Sequence, residues 1–277
     1  MREALFSRQI ISPTSKVVPL TGGRTNHLWR ADTVNGPIVI KSYTKPGNNP
    51  LFPNSPDDEE RVLRHLHGTA LAPDLLDFLH LPHGPVLVYS HIDGSTWHDE
   101  TSKAARAFEQ LHDAPLLPSL PRAPDGSAEL TKQTLAILKA CKHAKAHTIA
   151  DLRPTSQVPA SGVDCLLHGD PVPGNLITNT DRIVFIDWQC PMRGDPVNDL
   201  AIFLSPAMQL IYRGAVLTKA QEESFLKSFT DANLIQRHHA LTPWYHWRMA
   251  AYCLWRYENG AEEYHAAMTL ELAALQD

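Results

Sequence analysis

The sequence predicts an α+β fold of two lobes, a small antiparallel-sheet N-terminal lobe and a larger, mainly helical C-terminal lobe. Three observations carry this expectation. The first third is rich in short β-branched and aromatic runs, helix-like apolar spacing dominates from Trp97 onward, and one island of strand and loop over residues 165–188 interrupts the helical part. At 277 residues and 43% hydrophobic, the chain is long enough for two packed lobes.

Taken in order, residues 27–33 and 37–43 are two strand-like runs joined across Asn35-Gly36, a dipeptide that tolerates the positive φ angles of a tight hairpin turn. Residues 45–56 hold Pro46, Pro50, Pro53 and Pro56 with Gly47 and three asparagines, which predicts an exposed loop. A helix follows: Asp57, Asp58, Glu59 and Glu60 suit the positive end of its dipole, and Val62, Leu63 and Leu66 supply an apolar stripe. Residues 74–80 and 86–90 form a second hairpin across Pro82-His83-Gly84. The break at Ile92-Asp93-Gly94 divides the chain into domains 1–92 and 93–277. In the second part the apolar spacing predicts helices over 99–112, 127–147, 195–212, 218–230 and 239–258.

A net charge of −5 argues against a nucleic-acid partner, which needs a basic face to release counterions. The four cysteines form no CxxC pair, so neither a zinc site nor a disulfide framework is expected. No run of 18 or more apolar residues and no apolar stretch after a basic start appears, so no membrane association is expected and the chain reads as soluble and cytoplasmic. Oligomeric state is not encoded in any of these features.

The chemistry concentrates in the island. His168-Gly169-Asp170 is followed by Asn175, a short strand, a polar Asn179-Thr180-Asp181 turn, and Ile183-Val184-Phe185-Ile186-Asp187-Trp188. Apolar strands thus deliver three polar side chains to loop positions. Phosphoryl transfer needs a carboxylate near an attacking hydroxyl and oxygen ligands that hold magnesium against a polyphosphate, because catalysis there is mostly positioning and charge neutralisation. Asp170, Asn175 and Asp187 supply that set, with hard oxygens of the kind magnesium takes. Singly, each has an ordinary reading as a turn or strand-end residue.

His168-Gly169-Asp170 with Asn175 five positions on resembles the catalytic loop of aminoglycoside phosphotransferases and choline kinases, a family with a protein-kinase-like fold. Ile186-Asp187-Trp188 resembles that family's metal-binding segment, and Gly194-Asp195-Pro196 with Asp199-Leu200-Ala201 resembles the helix start after it. The resemblance implies a nucleotide-binding N-terminal lobe and a catalytic, acceptor-binding C-terminal lobe, with ATP and Mg2+ as cofactors. It also implies that Asp170 accepts the proton of the acceptor hydroxyl and that Asn175 and Asp187 hold the metal. His168 is assigned a structural role, fixing the loop through hydrogen bonds. Asp195 and Asp199 are taken as architectural, the first as a helix cap and the second as a brace for the catalytic loop.

On the nucleotide side, Lys41 alternates with Ile38 and Ile40 and can face a cleft while they face the core. Glu59, preferred to Glu60 because Leu63 and Leu66 follow on its helical face, is the candidate partner of Lys41. Gly22, Gly23, Arg24 and Asn26 form the candidate phosphate-side turn, where paired glycines let backbone amides approach closely. Residues 88–92, with Ser90 and Ile92, lie where a lobe-connecting hinge would offer backbone groups to an adenine edge.

For the acceptor, the aromatic residues Trp244, Trp247, Tyr252, Trp255 and Tyr257 with Asp93, Asp99, Glu258, Glu262 and Glu263 could hold an ammonium, although Trp244, Trp247 and Trp255 share one helical face as a core stripe would. The expected acceptor is a small-molecule hydroxyl, an amino alcohol of choline or ethanolamine type or a cationic alcohol such as thiamine. The alternatives are an aminoglycoside acceptor and a catalytically silent nucleotide-binding module. A protein kinase fits less well, since Asp187-Trp188-Gln189 stands where Asp-Phe-Gly would.

Overall fold

A computed structural model describes residues 1–20, 25–43 and 48–276. Helix α1 (Arg2–Ser7) leads into strands β1 (Val17–Leu20), β2 (His27–Thr33) and β3 (Gly36–Ser42); helix α2 (Pro56–His65) and strands β4 (Leu75–Leu81) and β5 (Gly84–Ser90) follow. The strands form one antiparallel sheet in the order β1-β2-β3-β5-β4. The first hairpin turns at Val34-Asn35, one residue before the expected Asn35-Gly36, since Thr33 pairs with Gly36; the second is tighter than expected, with Leu81 paired to Gly84 across two residues.

Strand β3 is central to the site. Its alternation sends Ile38 and Ile40 to the outer face, where they pack with Leu79, Val88 and Leu5. Leu5 comes from α1, a helix too short to announce itself by periodicity. Val39 and Tyr43 pack on the other face with Val62 and Leu63 of α2. That helix starts as its sequence predicts: the Ser55 hydroxyl accepts from Asp58 N at 3.3 Å, Pro56 occupies the first turn, and acids line the positive end.

The rest of the chain holds β6 (Ser95–Thr96), α3 (Thr101–His112), α4 (Gly126–Ala140), α5 (Lys145–Asp151), β7 (Cys165–Leu167), β8 (Leu176–Thr178), β9 (Ile183–Phe185), β10 (Met192–Gly194), α6 (Val197–Leu204), α7 (Pro206–Arg213), α8 (Lys219–Lys227), α9 (Ala232–Glu258) and α10 (Tyr264–Ala274). Two expected helices are split. The 127–147 segment breaks at Cys141, because the Glu258 carboxylate accepts from the backbone N–H groups of Lys142 and His143 and draws the chain out of the helix. The 195–212 segment breaks at Ser205-Pro206, where proline cannot continue the ladder and Ser205 caps α7 through Met208 N at 3.2 Å. Helix α9 begins earlier than expected, at an Asp231 cap, and runs through Pro243.

The expected exposed loop over 45–56 is also different. The Asn49 side-chain Oδ1 accepts from Leu51 N and Phe52 N at 3.1 and 2.9 Å, turning the chain so that Leu51 and Phe52 are buried against the helical lobe with Tyr252 and Trp247. Apolar residues at that turn outweigh the surrounding prolines. No helix among the described residues is long and apolar enough to cross a membrane.

Candidate active site

Strands β7 and β10 pair antiparallel, as do β8 and β9, and the loops between them converge beneath the sheet. The loop that carries Asp170 is fixed from three sides. Asp199, on α6, accepts from His168 N at 2.9 Å and Gly169 N at 3.0 Å, and His112 Nε2 lies 3.2 Å from the same carboxylate. The buried His168 ring bonds Ile186 O through Nε2 at 3.0 Å and Asp170 N through Nδ1 at 3.3 Å. An Nε2–H that donates and an Nδ1 that accepts describe the neutral tautomer, and burial lowers the His168 pKa in agreement. Gly169 has φ +81, and a Cβ there would lie 2.0 Å from Cys190 O, so no other residue fits.

Asp170 is therefore held by a loop with no slack. Burial raises its carboxyl well above the usual range, and the Asp187 and Asp199 carboxylates add to the effect. A short 3-10 turn, Pro173–Asn175, brings the Asn175 amide back so that Nδ2 donates to Asp170 O at 2.9 Å. Asp187 has φ 62, in the left-handed region that a non-glycine residue enters at a cost of about 1 kcal/mol. The conformation turns its carboxylate off the end of β9 toward the sheet.

There it meets Lys41. The ammonium bonds Glu59 Oε2 at 2.5 Å and Asp187 Oδ1, and the Tyr43 hydroxyl donates to the same Glu59 oxygen. Glu60 instead pairs with Arg64. Burial alone disfavours the Lys41 ammonium, but the Asp187 and Glu59 carboxylates reverse this and its pKa lies above the ordinary lysine value. Burial works the other way on Glu59, raising its carboxyl against the pull of Lys41. With an ammonium and a phenol hydroxyl on one oxygen, the geometry is that of an ionised pair.

A cavity of about 520 Å3 opens beside this cluster, between Leu28 and Val39 above, Ile177 and Ile186 below, with Asn175 and Asp187 lining it. Ser90 and Ile92 line it as well. The Ser90 N–H is committed to Asp74 O at 2.9 Å, whereas the Ile92 N–H has no partner among the described residues. Asn26 is buried and bonded to Asn54 and Gln189. Gly22, Gly23 and Arg24 lie outside the described residues. The oxygens that a hard cation would use are present: Asn175 Oδ1 and Asp187 Oδ2 take no hydrogen bond from described residues, and both side chains line the cavity.

Residues 16–244 match the family model of the phosphotransferase enzyme family, APH. The chain belongs to the phosphotransferase enzyme family. As a small-molecule phosphotransferase it has a protein-kinase-like fold with several solved counterparts. A spectinomycin phosphotransferase, in complex with ADP and spectinomycin, is 13% identical with a TM-score of 0.71, over 100% of this chain and 98% of that one. A choline kinase from Cryptosporidium parvum Iowa II is 14% identical with a TM-score of 0.69, over 97% and 91%. A choline/ethanolamine kinase family protein from Mesorhizobium loti is 16% identical with a TM-score of 0.63, over 99% and 98%. At these identities the likeness is one of fold. No curated protein matches the sequence.

On the acceptor side, the core-stripe reading of Trp244 and Trp247 holds. Trp244, Trp247 and Tyr252 are packed in the core of the helical lobe, and Glu258 anchors the turn after α4. Asp93 and Asp99 sit on the surface. Sequence reasoning missed Tyr43, His112 and Gln189, whose partners stand 16, 87 and 163 residues away. Tyr43 alone had a local signal, two positions after Lys41 on the same face of the extended chain.

Proposed function

We propose that this phosphotransferase moves the terminal phosphoryl group of ATP to a hydroxyl of a small molecule, with Mg2+. The observation that carries the reading is a chain of contacts beside one cavity: Glu59 bonds Lys41, Lys41 bonds Asp187, Asn175 bonds Asp170, and Asn175 and Asp187 line the cavity. Lys41, aimed by Glu59, contacts the nucleotide phosphates, and the Ile92 N–H meets the adenine edge. Asp170 accepts the acceptor's hydroxyl proton, and its raised pKa makes it a stronger base than a free carboxylate. Asn175 and Asp187 hold the magnesium, which when bound neutralises charge on the polyphosphate.

The acceptor reading is an amino alcohol of choline or ethanolamine type, or a cationic alcohol such as thiamine. Its support is the fold shared with a choline kinase and a choline/ethanolamine kinase family protein. The aminoglycoside reading draws on the fold shared with the spectinomycin enzyme.

Calorimetric titration of ATP with and without magnesium tests the nucleotide side. Asp187→Ala is expected to lose the magnesium-dependent part of ATP binding; a variant with an unchanged magnesium titration would move the metal away from Asp187.

A further inference from the structure

Gln189 stands where kinase-type sites with Asp-Phe-Gly carry glycine, yet it is buried, and its bonds reach two distant parts of the N-terminal lobe. Its side-chain oxygen accepts from Asn26 Nδ2 at 2.9 Å. The same Asn26 amide exchanges two bonds with Asn54, each 2.9 Å, and Ser55 N donates to Gln189 O at 2.8 Å. Ser55 caps α2, and its carbonyl accepts from Glu59 N at 3.1 Å, so the first turn of the helix that carries the Lys41 partner rests on the Gln189 backbone.

The position of Asn26 gives this cluster its meaning. Leu20 closes β1 and Leu28 faces it in β2, and both line the cavity. Asn26 stands two residues before Leu28, next to the start of β2 at His27. On its other side Gln189 is two residues after Asp187, with Trp188 pinned between through Nε1 to Phe185 O at 2.9 Å.

We infer that Gln189 is a positioning residue for the nucleotide: through Asn26, Asn54 and Ser55 it holds the start of β2, the α2 start and the Asp187 segment in one frame. The inference rests on the proposed nucleotide-binding role of the cavity. A buried amide cluster of this kind transmits position well, because losing one partner leaves the others unsatisfied and forces a shift. A second tie between the lobes, Asn49 Nδ2 to the Tyr252 hydroxyl at 3.1 Å, does not involve Gln189. Loss of Gln189 should thus weaken nucleotide binding and leave acceptor binding alone.

The test is a set of three variants, Gln189→Met, Asn26→Ala and the double variant, each checked for folding by its melting transition. ATP and ADP affinities are read by calorimetry, with steady-state KM values for nucleotide and acceptor once an acceptor is in hand. Each single variant is expected to weaken nucleotide affinity about tenfold, the double variant no further than either, and acceptor KM to stay within about twofold. Should Gln189→Met fail to fold, Asn26→Ala breaks the same bond from the other lobe. Folded variants that bind nucleotide like the wild type, or losses that add in the double variant, overturn the inference while leaving the functional reading intact. A wild-type protein that binds no nucleotide overturns both.

Discussion

Asp170 illustrates how a single side chain ties stability to activity. Its carboxyl is raised by burial, then by Asp187 and Asp199, so the folded chain favours the protonated form more than the unfolded chain does. The stabilisation this provides is present below the unfolded pKa of about 4 and is lost as pH rises through the raised folded value. Asp170→Asn removes that loss. In the absence of nucleotide and metal, the variant is expected to melt above the wild type near neutral pH, with the gap closing toward about pH 4. A gap independent of pH would contradict the raised carboxyl. The same variant should lose turnover by about 10²- to 10⁴-fold or more while binding ATP normally, and retention of most of the turnover would remove Asp170 as base.

Lys41 works in the opposite sense, as a buried cation made tolerable by two carboxylates. Lys41→Met is expected to cost about 3 kcal/mol in urea unfolding, because Glu59 and Asp187 then face each other without it, and to abolish ATP binding. A variant as stable as the wild type would show that the pair is not an ionised one. Among residues, those that announced themselves did so through local pattern: Asp170 and Asn175 by spacing, Lys41 by alternation, Glu59 by its helical face. Gln189 and His112 carry no such mark, since each acts on a partner that only the tertiary fold brings near.

At the scale of elements, α6 is the support on which the catalytic loop hangs. Its first turn holds Asp199, whose two oxygens take the consecutive N–H groups of His168 and Gly169. Asp195 Oδ1 accepts from Val197 N at 3.0 Å at the start of the same helix, and its other oxygen pairs with Arg237 of α9 at 2.6 Å. The brace expected from sequence is thus present, whereas the N-cap position falls at Pro196 and Asp195 bonds Val197 N from one residue before it. Asp199→Ala should lower kcat by about 10²-fold with little change in nucleotide affinity, because the loop loses its register while the Lys41 cluster stays intact. A fall in nucleotide affinity of the same size would mean that α6 supports the whole cleft instead.

The hairpins and α2 were legible because turn dipeptides, alternation and an acidic helix start are local signals. The splits at Cys141 and Ser205 were not. The first depends on Glu258, more than a hundred residues downstream, and the second sits inside an unbroken apolar pattern in which Pro206 was the only warning. Helix α9 shows the converse, since Pro243 lies within it without ending it. Its packed aromatic residues look alike in sequence whether they line a pocket or fill a core.

In the whole molecule, the two lobes meet through polar ties that surround the cleft. Lys41 reaches Asp187, Asn26 reaches Gln189, and Asn49 reaches Tyr252. Leu51 and Phe52 add apolar contact on the same side, burying part of the N-terminal half in the helical core. Asn175 and Asp187 thus line a cavity of about 520 Å3, and Asn175 bonds the buried Asp170 beside it. The family and the fold follow from motifs spread over most of the chain.

The most direct test is an ATP-consumption assay with magnesium against choline, ethanolamine, thiamine, homoserine, methylthioribose and several aminoglycosides, with Asp170→Asn as control. A small-molecule kinase of the proposed kind turns over a cationic alcohol, loses that turnover when magnesium is chelated, and shows none in the control. Turnover that survives in Asp170→Asn, or ATP binding without transfer to any acceptor, would contradict the proposed function.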